Sequence, residues 1–329
     1  MAERVYPIEL LRSERSLIRL KSGHVKKQFF TDQSGRLRAG FHGEQAIDQH
    51  LKQLLLPGWW RMIRDVRLQI NEGYVAQFDT LLLTERGIWI VEAKRINGTL
   101  RWKNFPRRVE RVKDDGSILT FDCPIIQLEN QKTALRGWLQ ERNLSIPVHG
   151  VVAFSLKNTW INLPDNSVIL SVKELRSYLT QQVNTATKVY EISIERIAVR
   201  IHEEQLGPDL TTTCERHEME PFDFMDGLLC RDCGGQLKQI NERSHTCTQC
   251  GQLDAEEPVG RALLDYVLIR KSVVNTQEFA RFAGCSSSVA RRTLSRHLDR
   301  DGKYARLFKF CPRTQLNGTE WIKKKGPIP

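Results

Sequence analysis

The segment from Val75 to Lys94 constrains the fold most, because it reads as a β-hairpin with both faces covered. Two apolar runs flank the turn-like tetrapeptide Thr84-Glu85-Arg86-Gly87. A turn of two or four residues sets Leu83 opposite Ile88, and the same register sets Asp79 opposite Glu92. Directly opposed residues share one face of a sheet, with Cβ atoms roughly 5 Å apart. Lys94, two residues beyond Glu92, joins that face through the period of 2 along a strand. An odd-length turn would slip the register and separate the three charges. The alternation assigns Phe78, Leu82, Trp89 and Val91 to one face, and Leu81, Leu83, Ile88 and Ile90 to the face with the charges. Both faces are apolar, so helices are expected on both.

Two carboxylates side by side cannot both stay ionised cheaply. A divalent cation removes the conflict: Mg²⁺ (or Mn²⁺) takes carboxylate oxygens and keeps several waters. Such an ion polarises a phosphoryl oxygen and lowers the pKa of bound water. Lys94 would then orient that water or offset charge on the phosphate. A plain ion pair of Lys94 with a carboxylate accounts for the same three residues. Glu44 adds a third acid. It precedes Ile47, Leu51 and Leu55 by 3, 7 and 11 residues, which puts it on the helix face that packs on the sheet. A favourable place near a helix N-terminus is the plainer account of Glu44. A supporting carboxylate at a metal site is the functional one.

Around the hairpin the pattern mixes helices and strands. Residues 1–36 are a polar, basic extension with a short helix near Ile8 to Leu20. Ala46, Ile47, Leu51, Leu54 and Leu55 recur at helical spacing and stop at Pro57-Gly58. Extended segments follow at 61–70, 75–83, 87–95 and 98–102. A helical run starts at Pro124 and ends before Pro147, then come strands at 148–155 and 167–171 and a helix at 172–182. This order predicts an α/β sandwich over 37–206. A cysteine-rich segment (214–254) and a basic helical segment (257–329) complete the chain.

Four motifs in order carry a resemblance. Gly43-Glu44, Gln77-Phe78-Asp79, Ile90-Val91-Glu92-Ala93-Lys94 and Pro124-Ile125-Ile126-Gln127 look like the successive motifs of the nuclease-related domain (NERD) family, over about Leu37 to Leu179. That family has the PD-(D/E)xK, restriction-endonuclease-like fold. The resemblance implies Asp79 and Glu92 as ligands of a catalytic Mg²⁺, Lys94 as the catalytic lysine, Glu44 as a supporting acid and Gln127 as a polar residue facing the site.

Four of the eight cysteines form two Cys-x-x-Cys pairs, Cys230/Cys233 and Cys247/Cys250, separated by 13 residues and each followed by Gly. Four thiolates at this spacing suit a closed, structural tetrahedral Zn²⁺ in a zinc ribbon, with a short hairpin (236–246) between the pairs. Cys214 and His217 offer a second, competing ligand pair, or a weaker second metal site. Cys123, Cys285 and Cys311 are isolated and read as buried apolar residues.

The net charge of +11 is concentrated. Residues 257–329 hold 15 Lys and Arg against 6 Asp and Glu, leaving 35 against 33 elsewhere. Such a segment attracts polyanions, of which nucleic acid is the usual one. Asn275-Thr276-Gln277-Glu278 has the capping-box pattern, and a turn at Gly284-Cys285-Ser286 leads into a helix over 287–298. This is the plan of a helix-turn-helix or winged-helix domain. Ser287, Ser288, Arg291, Arg292 and Arg296 on the last helix suit phosphate and base contacts in a major groove. Tyr304–Phe310 and Glu320–Lys325 could form a wing or a basic tail. A helical bundle with a solvated basic face fits the same pattern.

Two function classes follow. One is a metal-dependent nuclease (a hydrolase) cleaving DNA, with RNA as a further substrate class. The other is a DNA-binding regulator or adaptor whose nuclease-like fold lacks activity. No stretch nears the roughly 18 apolar residues of a membrane span, and the N-terminus lacks a secretory h-region. A cytoplasmic location is therefore expected.

Overall fold

The computed structural model describes residues 4–113, 115–165, 168–189, 194–241, 244–254, 257–300 and 307–309. The first elements are α1 (Ile8–Arg19), α2 (Lys27–Leu51), β1 (Trp60–Asn71), β2 (Tyr74–Thr84), β3 (Gly87–Lys94), β4 (Gly98–Asn104), β5 (Arg107–Val112), β6 (Ile118–Asp122) and α3 (Pro124–Gln140). There follow β7 (Val148–Phe154), β8 (Asn158–Ile161), β9 (Ile169–Ser171), α4 (Val172–Thr185), α5 (Ile194–Glu204) and α6 (Thr213–His217). The last are β10 (Leu237–Gln239), β11 (His245–Cys247), β12 (Leu253–Asp254), α7 (Pro258–Ile269), β13 (Val273–Asn275), α8 (Thr276–Ala283), α9 (Ser287–His297), β14 (Asp299–Arg300) and β15 (Leu307–Lys309). Arg4 with Ala39–Leu206 forms one compact unit; Val5–Arg38 with the described residues from Gly207 onward forms another.

The first unit is an α/β sandwich. Its main sheet has the order β1-β2-β3-β7-β9, antiparallel from β1 to β3 and parallel from β3 to β9. The β2–β3 hairpin turns through Glu85-Arg86 with Leu83 opposite Ile88 and Thr80 opposite Val91, the register read from the sequence. Helices cover both faces because both are apolar. Leu128, Leu135 and Trp138 of α3 and Ile197 and Ile201 of α5 pack with Leu81, Leu83, Ile88 and Ile90. On the opposite face Ile47 and Leu51 of α2 and Leu175 and Leu179 of α4 meet Leu82, Trp89 and Val91. Each fully buried Leu or Ile contributes about 1.5–3 kcal/mol relative to exposure, so these two layers fix the sheet between them.

Two assignments made by strict periodicity are corrected. Phe78 packs with Leu81 and Leu83, not with Leu82. β2 changes phase between Phe78 and Leu81. The residue across from Asp79 in the β1–β2 ladder is Asp65, whose left-handed φ of 51° kinks β1 at that rung. Leu55, placed on the buried stripe of α2, is 87% exposed. The helix ends at Leu51, so the 3.6-residue period no longer applies, and Leu54 is buried instead.

A second sheet, β6-β5-β4-β8, joins the same core through Leu100, Trp102 and Val109. Only β4 was legible as a strand; β5 carries four charged residues in six and masks its alternation.

In the second unit α1 packs on α7 and α6. Its core gathers Phe30, Phe224, Leu263, Tyr266, Phe279 and Leu294. Beneath α1, Arg15 and Arg19 both bond the carboxylate of Asp265. The C-terminal elements run α7, β13, α8, α9, β14, β15, and the strands order as β13-β15-β14. Asn275 caps α8 by accepting from Gln277 N and Glu278 N. The reciprocal half of the expected capping box is not the partner of Glu278, which instead takes Tyr266 OH at 3.1 Å and Lys271 Nζ at 3.2 Å. Gly284 ends α8 in the left-handed region, φ 65°, and Ser286 caps α9.

Candidate active site

The β2–β3 ladder ends at Thr80 opposite Val91, and there the charged residues begin. Ala93 N donates to Asp79 Oδ2 at 2.8 Å, so a side chain takes a backbone donor where the ladder opens. Glu92 is 2% exposed and carries a dense set of partners. Its Oε1 accepts from Lys94 Nζ at 2.6 Å and from Gln127 Nε2 at 2.7 Å, and its Oε2 accepts from Gln131 Nε2 at 2.7 Å. Lys94 Nζ also donates to Gln127 Oε1 at 2.8 Å. Gln131 Nε2 reaches Gln77 O at 3.0 Å, tying α3 to β2.

On the other side stands a second acidic group. Glu44 Oε2 accepts from Arg4 Nη1 at 3.1 Å, and Asp65 Oδ1 accepts from the same nitrogen at 2.6 Å. Asp48 takes Arg4 Nε at 3.1 Å and lies 3.0 Å from Arg64 Nε. Gly43 permits the approach of α2: a Cβ there would meet Arg95 Cβ at 2.8 Å.

Electrostatics mark the cluster as acid-rich. Burial, then the charges of Glu92 and Glu44, hold the Asp79 carboxyl well above the usual carboxylate range, against the hydrogen bond from Ala93. Burial also pushes Glu44 up to about 7, against the Arg4 guanidinium and with Asp65, Glu92 and Asp48 adding to the rise. Hard oxygen donors in mutual repulsion are what a divalent cation relieves. Asp79 and Glu92 are oxygen donors of that kind.

Glu44, Asp79, Glu92, Lys94 and Gln127 thus come together in one unit. Sequence reasoning missed four neighbours: Arg4, Asp48, Asp65 and Gln131. Gln131 and Asp48 had a signal, since each lies four residues along a helix from a chosen residue and so on its face. Arg4 and Asp65 had none: their approach depends on how distant segments fold back.

A sandwich with Asp and Glu-x-Lys on adjacent strands, backed by acids from a helix and a neighbouring strand, has the layout of a nuclease-like fold. The model of the family described as nuclease-related domain matches residues 39–155, which supports a nuclease-like function for this part of the chain. The matched segment holds every residue of the site except Arg4. No curated protein and no solved structure matches the chain.

In the other unit the two Cys-x-x-Cys pairs converge. Cys230, Cys233, Cys247 and Cys250 offer thiols that all lie within 4.8 Å of one another and could hold a metal ion. The Sγ atoms of Cys230 and Cys250 are 3.8 Å apart and those of Cys233 and Cys247 3.4 Å. Four thiolates at a Zn–S bond of about 2.3 Å would stand roughly 3.8 Å apart, so the donor set suits zinc. Asp232 N and Gly235 N point at the first pair's sulfurs, and Gln249 N and Cys250 N at Cys247 Sγ. Gly234 and Gly251, just after each pair, have φ of 72° and 71°, which explains glycine there. The expected hairpin between the pairs is β10–β11, with Leu237 opposite Cys247.

Cys214 and His217 are not in that cluster. His217 packs its ring on Phe29 and Phe30, with centroids 5.1 and 5.4 Å away, and Cys214 packs against the second unit's core. Both residues sit on α6, which keeps them in that packing role. Cys123 is buried and Cys285 half-buried, whereas Cys311 lies outside the described residues. On α9, Ser287, Ser288, Arg291, Arg292 and Arg296 are exposed while Ala290 and Leu294 are buried. Arg296 pairs with Glu257 at 2.9 Å. Of the expected wing and tail, 307–309 form β15; positions 304–306 and 310–329 lie outside the described residues. No helix among the described residues is long and apolar enough to cross a membrane.

Proposed function

We propose that this protein is a metal-dependent nuclease that hydrolyses DNA phosphodiester bonds at the site built on Asp79, Glu92 and Lys94. The observation that carries the reading is the cage around Glu92: a buried carboxylate held by Lys94, Gln127 and Gln131, beside a second carboxylate whose charge it repels. Asp79 and Glu92 would hold a Mg²⁺ or Mn²⁺, which when bound polarises the scissile phosphate and activates water. The protein's own groups do the rest. Gln127 and Gln131 fix both oxygens of Glu92, so that carboxylate meets a cation with its geometry already set. Lys94, with its side chain 21% exposed, reaches from the buried acid toward solvent. There it offsets charge that grows on the phosphate during attack. Glu44 supports the field around Asp79.

The four-cysteine cluster is read as a structural zinc ribbon. The order of α7–β13–α8–α9–β14–β15, with β15 between β13 and β14, supports a winged helix-turn-helix reading for the C-terminal elements. In that arrangement α9 enters the major groove with Ser287, Ser288, Arg291, Arg292 and Arg296 toward the DNA. A second reading has one observation in its favour. Both oxygens of Glu92 and the Lys94 ammonium are satisfied internally, as suits a nuclease-like domain that serves only as a DNA-binding regulator.

The test compares wild type with Asp79→Ala and Lys94→Ala on linear, circular and single-stranded DNA and on RNA, with Mg²⁺ or Mn²⁺. Metal-dependent cleavage by wild type is expected, falling by roughly 10²–10⁴-fold in each variant, the scale on which removal of one positioned catalytic group is felt. Wild-type inactivity on every substrate, with DNA binding retained, would establish the regulator instead. Zinc analysis of Cys247→Ser tests the ribbon separately: a zinc content equal to that of wild type would remove the assignment.

A further inference from the structure

Arg4 lies 35 residues before the matched segment, yet its side chain is 1% exposed and sits wholly among the site's acids. One guanidinium makes contacts of five kinds. Nη1 bonds Glu44 and Asp65, Nε bonds Asp48, and Nη2 bonds Asp48 at 3.3 Å, Asp79 O at 3.1 Å and Thr80 Oγ1 at 3.1 Å. A planar fork with five fixed donors can satisfy this many acceptors in different directions; a lysine ammonium offers three donors from one point. Burying a guanidinium is costly, and here Asp65, Asp48 and Glu44 more than offset that cost.

The charge count explains why it is there. Five carboxylates, Glu44, Asp48, Asp65, Asp79 and Glu92, are gathered around the opening of the β2–β3 ladder. Lys94 answers Glu92, and Arg64 answers Asp48 while its charge also acts on Asp65. Without Arg4, Glu44 and Asp65 would both lose a directly bonded cation, and Asp65 would keep the weaker pull of Arg64. The last two contacts of Arg4 fall on Asp79 O and Thr80 Oγ1, at the point where β2 changes phase and turns the Asp79 side chain toward Ala93 N.

We propose that Arg4 is a positioning residue of this site: a built-in cation that offsets the charge of Glu44 and Asp65 and holds β2 at Asp79 and Thr80, so that the acids accept one divalent ion, at Asp79 and Glu92, rather than two. The inference rests on the nuclease reading above, because it takes Asp79 and Glu92 as the ion's ligands. Arg4 touches no reacting atom; it acts through Glu44 and Asp79.

The experiment titrates Mn²⁺ into the zinc-loaded full chain without nucleic acid, by calorimetry and by the loss of the free-ion electron-resonance signal, for wild type, Arg4→Lys, Arg4→Gln and Arg4→Ala. Wild type and Arg4→Lys are expected to bind one Mn²⁺. Arg4→Gln and Arg4→Ala are expected to bind a second, which Glu44→Gln in the same background abolishes. One ion of equal affinity in all four proteins overturns the role of Arg4 and leaves the nuclease reading intact. No Mn²⁺ bound by any of them overturns both. Should the neutral variants fail to fold in metal-free buffer, recovery of a cooperative thermal transition on adding Mn²⁺ supports the proposal. Absence of recovery shows that Arg4 serves packing alone.

Discussion

Two buried clusters in this protein join arginine to carboxylate, and they are balanced in opposite ways. In the second unit two guanidinium groups serve one acid: Asp265, 0% exposed, takes Arg15 and Arg19 together. Arg19 Nη1 also donates to Met225 O and Gly227 O, at 2.9 and 3.0 Å, and the guanidinium lies over the Phe282 ring. Burial alone would raise the Asp265 carboxyl, but the two arginines hold it below the usual carboxylate range. In the first unit's cluster five acids meet Arg4, Arg64 and Lys94, and Asp79 and Glu44 are held high. A cluster whose acid is fully paired is a fastener. One that keeps surplus negative charge is poised for a ligand, and the direction of the carboxyl shifts separates the two.

The largest effect should come from breaking the cluster whose acid is fully paired. Asp265→Ala leaves two buried guanidinium groups without their shared anion, and removal of one member of a buried pair costs about 3–5 kcal/mol. Urea unfolding followed by circular dichroism should show that loss, together with lower zinc-loaded yield. A cost below about 1 kcal/mol, the range of exposed pairs, would mean that the cluster is not the fastener described.

The surplus cluster should respond with the other sign. Asp79→Asn keeps an oxygen to accept from Ala93 N and removes one of the repelling charges. In zinc-loaded, Mg²⁺-free protein at neutral pH it should raise the melting temperature, because the variant loses the charge that burial, Glu92 and Glu44 oppose. The same variant should lose cleavage, the trade between stability and activity expected of a functional site. Destabilisation by Asp79→Asn would place Asp79 with Asp265, as a structural acid.

The difference between the clusters also explains what could be read in advance. The main sheet, its covering helices and the meeting of Glu92 with Lys94 follow from periods of 2 and 3.6 and one turn length, all local properties, whereas the place of Asp79 depends on the change of phase in β2. Gln131 was within reach of the same reasoning, one helical turn from Gln127. Arg4 and Asp65 were not, because the first reaches Glu44 across 40 residues and the second enters through a left-handed kink that alternation cannot foresee. The Asp265 cluster was hidden for the same reason: Arg15 and Asp265 are 250 residues apart. Composition even misleads there, since Arg15 and Arg19 look like part of a solvated basic extension. Patterns along a chain show which residues share an element. Charge balance is a property of elements brought together, and so appears only in the fold.

The smallest effect, and the sharpest test of the comparison, is how each variant's advantage changes with pH. Asp79 has a raised carboxyl in the folded state, so folding takes up protons there and its ionisation weighs against the fold as pH rises through the raised value. The advantage of Asp79→Asn over wild type should therefore be present at neutral pH and shrink on acidification, vanishing once Asp79 is protonated in both states, below about pH 4. Asp265 is lowered, so its stabilisation is complete above the unfolded value and is lost as pH falls through the folded one. The advantage of wild type over Asp265→Asn should thus hold from neutral pH down to about pH 4 and decline only below it. Thermal melts of the three proteins from pH 8 to pH 3.5 make the measurement. A constant Asp79→Asn advantage across that range would mean that charge repulsion is not its cause, and parallel curves for the two variants would erase the distinction between fastener and site.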